Sequence, residues 1–310
     1  MGGSMKGLSR LGVGIALLVA FVCCAFFSAA ASAKDDDRPV VPDKDFGKDT
    51  ATANKSLPTV FFVGDSTMRS NAPLRGWASE VEAFFDKSKI NVINRAIGGR
   101  SSKTFITEGK WDHVLDELKP GDFVVVQFGH NDAGKYDDPS AKGRPSLHGE
   151  GDETAERKLP DGKTETVHTF GWYMRKYGND ARAKGATVIF CSMVPHKDWS
   201  PDGKNIKRGE RESFVTWTRD AAAASGAIFI DLNEISATGM EKLGQAEVEK
   251  LFGDKRTHST PAGAKFNAQC FIAGLKALSA DPLEQYLSAE GKAVQPAEKS
   301  LATAAPATAH

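Results

Sequence analysis

Two apolar runs in this chain end in the same way. Val60-Phe61-Phe62-Val63 stops at Gly64-Asp65-Ser66. Residues 122–128, apolar at Phe123, Val124, Val125, Val126 and Phe128, stop at Gly129-His130-Asn131-Asp132. Short runs rich in β-branched and aromatic residues, bounded by glycine, read as strands buried on both faces, as in a parallel sheet covered by helices. In an open sheet of that kind ligands sit at the carboxyl ends of the strands. Two strands delivering polar groups at the same end imply one shared site. Ser66 is therefore a candidate nucleophile, while Asp65 and Ser66 also suit the N-cap of a following helix. The turn alone leaves both readings open.

The rest of the chain alternates. Strands are expected at 58–63, 90–93, 122–128, 187–193 and 227–232. Helices are expected at 74–87, 111–118, 170–183, 208–224, at 235–251 with a break near Gly239 to Gly244, and at 261–278, where Pro261 suits a first helical turn. Five strands alternating with helices predict one α/β domain, a single three-layer unit with a five-stranded, mainly parallel sheet and helices on both faces. Residues 133–168 are too long, charged and Gly/Pro-rich for an ordinary connection and read as a functional or specificity loop. A second loop at the same end, 195–205, carries His196, Lys197 and Trp199.

The ends read differently. Lys6 and Arg10, an apolar stretch from Leu11 to Phe27 and Ala31-Ser32-Ala33 form a signal peptide over 1–33, so the mature chain is expected to begin at Lys34 in a secreted or periplasmic protein. An uncleaved anchor is the alternative; after cleavage no stable membrane insertion is expected. Residues 34–56 read as a flexible leader, 57–280 as the folded domain, and 281–310, rich in Ala, Pro, Glu, Lys and Thr, as a disordered tail. Lys plus Arg and Asp plus Glu each number 40, a balance that offers no nucleic-acid surface. The mature chain keeps Cys191 and Cys270, both read as small buried hydrophobes.

Acyl transfer needs a nucleophile, a base, a group to orient the base, and donors for the oxyanion. Beside Ser66, His258 is the candidate base. Asp254, four residues upstream, can accept from one imidazole nitrogen and leave the other for Ser66. The alternative is that His258 and Ser259 cap the last helix. The Ser66 amide, the Gly99 amide and the Asn131 side chain are candidate oxyanion donors; a loop glycine pair and a turn asparagine are their plain alternatives. The histidines match no zinc spacing, and no metal or other cofactor is expected.

The blocks Gly64-Asp65-Ser66-Thr67, Gly99, Gly129-His130-Asn131-Asp132, and Asp254 with His258 occur in an order that resembles the SGNH (GDSL-like) hydrolase superfamily. Gly64-Asp65-Ser66-Thr67-Met68, Ala96-Ile97-Gly98-Gly99-Arg100-Ser101-Ser102-Lys103-Thr104-Phe105 and Phe128-Gly129-His130-Asn131-Asp132 resemble its rhamnogalacturonan acetylesterase branch. The likeness spans about 58–278. It implies an SGNH/flavodoxin-like fold, Ser66 as nucleophile, His258 as base, Asp254 as orienting acid, and Ser66, Gly99 and Asn131 as the oxyanion hole. One departure stands out: the family acid often lies three residues before the histidine, where this chain has Lys255. Either a loop extension places Asp254, or a Ser-His dyad operates. The implied activity is serine-dependent removal of acetyl groups from acetylated plant cell-wall polysaccharide, pectic rhamnogalacturonan first, with acetylxylan or another short-chain ester as the alternative. A non-catalytic carbohydrate-binding module is a third reading. Arg100, Lys197 and Trp199, with Trp172, are the candidate sugar-binding residues; packing or surface roles serve each equally well.

Overall fold

Strand β1 (Thr59–Gly64) is buried along its whole length and lies between β2 (Asn91–Asn94) and β3 (Phe123–Gln127), parallel to both. The structure is a computed structural model that describes residues 53–208, 211–298 and 302–303. Strands β4 (Thr154–Lys158) and β5 (Thr164–His168) form a separate antiparallel hairpin. Beyond β3 the main sheet continues in parallel with β6 (Thr187–Cys191) and β7 (Ile228–Ile230), and β8 (Ala302–Thr303) adds an antiparallel edge. The strand order is β2-β1-β3-β6-β7-β8. The five parallel strands match the expected sheet, and the order reverses between β1 and β3, where a ligand crevice opens in a doubly wound sheet.

Alternation along the strands assigns the two faces. Val60, Phe62, Val125, Ile189, Cys191 and Ile230 face one way. They pack on α5 (Leu232–Leu243) and α7 (Pro261–Ala277) through Ile235, Phe271 and Leu275. Phe61, Val63, Val124, Val126, Val188, Phe190 and Phe229 face the other way. There they meet α1 (Ser102–Thr107), α2 (Lys110–Glu117), α3 (Phe170–Ala183) and α4 (Arg211–Ser225). A strand covered on both sides has no polar face, which is why β1 and β3 read as unbroken apolar runs. Cys191 and Cys270 are both buried free thiols.

The structure departs from expectation at 74–87, within 133–168 and after 281. Residues 74–87 form two 3-10 turns, Trp77–Ser79 and Val81–Phe84, rather than an α-helix. The apolar spacing marks burial correctly at Trp77, Val81 and Phe84, but long-range bonds set the backbone: Trp77 N–H donates to the Thr67 carbonyl and Phe85 bridges to Leu287. At 235–251 the break expected near Gly239 to Gly244 falls at Gly244 and divides α5 from α6 (Gln245–Glu249). The 133–168 loop contains the β4–β5 hairpin, turned at Leu159-Pro160-Asp161-Gly162-Lys163. The tail expected to be disordered from 281 is folded as far as Glu298. It includes α8 (Ala289–Ala293), buries Leu283 and Leu287, and sets Tyr286 edge-on to Phe123. The expected signal peptide, 1–33, and residues 34–52 of the expected leader lie outside the described residues. Among the described residues no helix is long and apolar enough to cross a membrane.

Candidate active site

Ser66 is set on the turn that follows β1. Gly64 is required there, because a Cβ would lie 2.2 Å from Met68 Sδ and 2.5 Å from the Gln127 carbonyl oxygen. No regular helix follows Ser66 directly, so it is a turn residue rather than a helix cap. Asp65 is wholly buried and braces the turn, its Oδ1 accepting both the Thr67 N–H and the Thr67 hydroxyl at 2.8 Å. Gln127, at the end of β3, donates to Thr67 Oγ1 (2.7 Å) and accepts from the Trp77 indole N–H (2.9 Å). The chain Trp77–Gln127–Thr67–Asp65 is a buried polar network in which donor meets acceptor at each link, the condition under which such a network rigidifies its surroundings.

The structure brings the C-terminal imidazole to this turn. Ser66 Oγ lies 2.8 Å from His258 Nε2 across 192 residues of sequence. His258 Nδ1 lies 2.5 Å from Asp254 Oδ2. The other oxygen of Asp254 accepts the backbone N–H groups of Arg256 (2.9 Å), Thr257 (2.7 Å) and His258 (3.0 Å). A bridge between Phe252 and Ser259 closes the loop, with Gly253 N–H donating to the His258 carbonyl. That closure turns a four-residue spacing into side-chain contact, so Lys255 in the usual acid position does not displace the carboxylate. Partial burial works to raise the Asp254 pKa; the bonds from His258, Arg256 and Thr257 outweigh it and hold the carboxyl well below its ordinary range. The cap of α7 is Thr260, whose hydroxyl accepts from Gly263 N–H, so His258 is not held for capping.

Gly99 and Asn131 follow β2 and β3 at the same end of the sheet. Gly99 has φ +78°, and a Cβ on Gly98 would lie 3.5 Å from Ser66 Cβ, so this loop passes directly against the serine. Asn131 Nδ2 donates to the Arg100 carbonyl (3.1 Å) and its Oδ1 accepts from Arg144 Nη1 (3.3 Å). Asp132 is fully buried and accepts from the Ser102 hydroxyl (2.5 Å) and N–H at the start of α1. Desolvation outweighs those bonds and raises its pKa to about 7.

The expected sugar contacts lie in two groups. Arg100 is in the Gly99 loop and pairs with Glu108 at 2.8 Å. Lys197 and Trp199 lie in the 195–205 loop. The Lys197 ammonium meets Glu249 at 2.7 Å and lies 5.6 Å from the Phe252 ring centroid, and Trp199 bridges to Ile206. This loop braces the His258 turn: Lys197 N–H donates to the Arg256 carbonyl, and Asp198 pairs with the Arg256 guanidinium at 2.5 Å. Trp172 stacks on His168, with ring centroids 3.7 Å apart. In the sequence Asp132 is named within its block without a role of its own, and Arg144 is not singled out. Asp132 was readable as part of its motif; nothing in the local pattern marks Arg144. Among the described residues no group of three or more His, Cys, Asp or Glu side chains is arranged to hold a metal ion.

Residues 62–266 match the GDSL-like lipase/acylhydrolase family. The chain belongs to that family. Its members are ester hydrolases, and so is this protein. It is 33% identical over 214 residues to a rhamnogalacturonan acetylesterase of Emericella nidulans, covering 69% of this chain and 83% of that one. It is 29% identical over 227 residues to a probable rhamnogalacturonan acetylesterase, YesY, of Bacillus subtilis, covering 71% and 93%. Among solved structures it is similar to YxiM of Bacillus subtilis, with a TM-score of 0.57 and 24% identity. That match covers 71% of this chain and 56% of the YxiM chain, so this protein spans little more than half of that structure.

Proposed function

We propose that this protein is a secreted carbohydrate acetylesterase that deacetylates rhamnogalacturonan, with Ser66, His258 and Asp254 as its triad. The observation that carries the reading is the continuous contact from Ser66 Oγ to His258 Nε2 and from His258 Nδ1 to Asp254. The family supports the reaction class, and the two rhamnogalacturonan acetylesterase relatives support the substrate.

In this mechanism Ser66 Oγ attacks the acetyl carbonyl while His258 Nε2 takes its proton. Asp254 holds the proton on Nδ1 and stabilises the imidazolium. The N–H groups of Ser66 and Gly99 and the Asn131 amide receive the negative oxygen of the tetrahedral intermediate. Collapse breaks the bond to the sugar oxygen, which leaves as a hydroxyl after taking the proton from His258. Water then attacks the acetyl-serine by the same route, giving acetate and free Ser66. Arg100 and Lys197 already pair with Glu108 and Glu249, so they meet a uronate carboxylate only by exchanging those partners, while Trp199 offers a face for a sugar ring.

Ser66→Ala should abolish acetate release from acetylated rhamnogalacturonan and leave the melting temperature within a few degrees. Retained turnover would refute the nucleophile. Release from acetylated xylan but not from the pectic polymer would refute the substrate. For export, N-terminal sequencing of the protein recovered outside the cytoplasm should begin at Lys34.

A further inference from the structure

The segment between β3 and β4 brings a cation to the oxyanion corner. Arg144 Nη1 lies 3.3 Å from Asn131 Oδ1 and 3.9 Å from the position a Cβ on Gly99 would take. It therefore flanks both of the donors that Ser66 does not supply. We infer that Arg144 is a positioning residue for the esterase reaction, fixing which end of the Asn131 amide faces the developing oxyanion. The inference rests on the reading of Asn131 as an oxyanion donor.

The argument is one of donor and acceptor identity. A primary amide is nearly symmetric in shape, and its oxygen and nitrogen exchange places by a half-turn about χ2. In the wrong orientation Asn131 would present a carbonyl oxygen to a negative charge. Arginine has only donors, so beside Asn131 it selects the oxygen. The Arg100 carbonyl has only acceptor sites, so it selects the nitrogen, 3.1 Å away. The two neighbours agree on one orientation. In that orientation Nδ2 spends one hydrogen on Arg100 and keeps the second for the substrate oxygen. Without Arg144, the Arg100 carbonyl alone would hold the amide.

The backbone is shaped to deliver this side chain. A single 3-10 turn, Pro139–Ala141, is capped by Asp138, whose side chain accepts from Ser140 N–H. It runs into Lys142 at φ +51°, the sole non-glycine residue with positive φ among the described residues. A left-handed lysine is strained and persists only where its surroundings impose it. Arg144 N–H then donates to the Ala141 carbonyl at 3.0 Å. The next residue back, Gly143, packs so closely on Arg157 that a Cβ would lie 2.2 Å from its Nη1. Arg157 pairs with Glu165 of β5 (3.2 Å), and Glu165 pairs with the buried Lys103 of α1 (2.7 Å). Lys103 lies four residues beyond Gly99. The long segment is thus tied back to the loop it serves, which gives the 133–168 region a positioning role.

The test is a double-mutant cycle on purified protein with p-nitrophenyl acetate and acetylated rhamnogalacturonan. Asn131→Ala is expected to lower kcat by about 100-fold, the scale of one lost oxyanion donor. Arg144→Met should lower kcat on p-nitrophenyl acetate about tenfold with KM nearly unchanged, the scale of one charged hydrogen bond. Arg144→Lys, which keeps a donor and the charge, should restore part of that loss. The double variant should be no slower than Asn131→Ala alone, because Arg144 has nothing left to orient. An unchanged kcat in Arg144→Met, or losses that multiply in the double variant, would overturn the inference while leaving the esterase reading intact. An unaffected Asn131→Ala would instead overturn the oxyanion assignment. Melting temperatures within a few degrees of the parent separate both results from unfolding.

Discussion

Replacing Asp254 separates the two jobs proposed for its carboxylate, orienting His258 and holding the turn. Asp254→Asn keeps an oxygen for the backbone N–H groups of Arg256, Thr257 and His258. It also puts an NH2 group where the carboxylate oxygen now lies 2.5 Å from His258 Nδ1. An amide nitrogen cannot accept a proton there, so the ring moves its hydrogen to Nε2 and faces Ser66 as a donor. A base in the wrong tautomer costs about 10³- to 10⁴-fold in kcat, with the fold unchanged. Asp254→Ala loses the same catalysis and also strands three N–H groups in a half-exposed turn. Water replaces part of each bond, so the total is about 1–3 kcal/mol. In a domain of this size that lowers the melting temperature by about 2–4 °C per kcal/mol. Because the folded carboxyl titrates below its unfolded value, its contribution is fully present above about pH 4 and is lost as pH falls through the folded pKa. The stability gap between parent and Asp254→Ala should therefore be largest at neutral pH and close in strong acid. Acetate release with thermal melts at several pH values reads both jobs. An Asp254→Asn variant within tenfold of the parent would refute the orienting role and leave a Ser-His dyad.

Asp132 gives the opposite pH signature. Its pKa is raised from an ordinary 3.8 to about 7, so the folded state holds a proton that the unfolded chain has released. Stability should fall by about 4 kcal/mol as pH rises from about 4 to about 7 and then level off, at 1.36 kcal/mol per unit. Asp132→Asn should remove that slope from urea midpoints measured at pH 4.5 and 8; equal slopes in both proteins would disprove the protonated state. Gln127→Leu should cost about 1–3 kcal/mol, since it leaves the Trp77 indole N–H unpaired in the core. It should also slow turnover by loosening Thr67 beside the proposed nucleophile Ser66, and unchanged kinetics would show that the network only stabilises. Leu287→Ala should cost about 2–5 kcal/mol in denaturant unfolding, because Leu287 is buried against the main core. A negligible effect would mean that residues 281–298 contribute little to the fold.

What was legible in the sequence follows from how local each signal is. β1 and β3 were readable because burial on both faces leaves no polar position, and their ends because glycine and polar residues interrupt an apolar run. The hairpin was half legible. Leu159-Pro160-Asp161-Gly162-Lys163 carries a turn signature, but β4 and β5 expose alternate residues on a mostly polar ribbon, so no apolar alternation flanks it. Residues 74–87 show the reverse failure. The helical spacing of Trp77, Val81 and Phe84 is real burial information, yet bonds to Thr67 and Leu287, distant in sequence, choose the backbone. The C-terminal segment was missed because three apolar residues, Leu283, Tyr286 and Leu287, carry its packing inside a polar composition.

The same logic explains why Ser66, Gly99 and Asn131 could be read and Arg144 could not. Ser66, Asn131 and Gly99 each follow a strand, and parallel register fixes their relative heights: Phe62 pairs with Asn94 and Gly64 pairs with Gln127. A slip of one residue in β3 would turn Val125 toward the other face and carry Asn131 away from Ser66, so the core that enforces the register also enforces the site. Residues placed by strand ends are therefore recoverable from strand patterns. Arg144 is placed by a left-handed lysine, a glycine packed against Arg157, and an ion pair that crosses to α1. None of these has a period, and each depends on partners tens of residues away. Ser66, Gly99 and Asn131 stand beyond strand ends of the regular scaffold, while Arg144, proposed to orient Asn131, stands on the irregular insertion. Changes within 133–168 should accordingly tune the reaction without dismantling the sheet that positions Ser66.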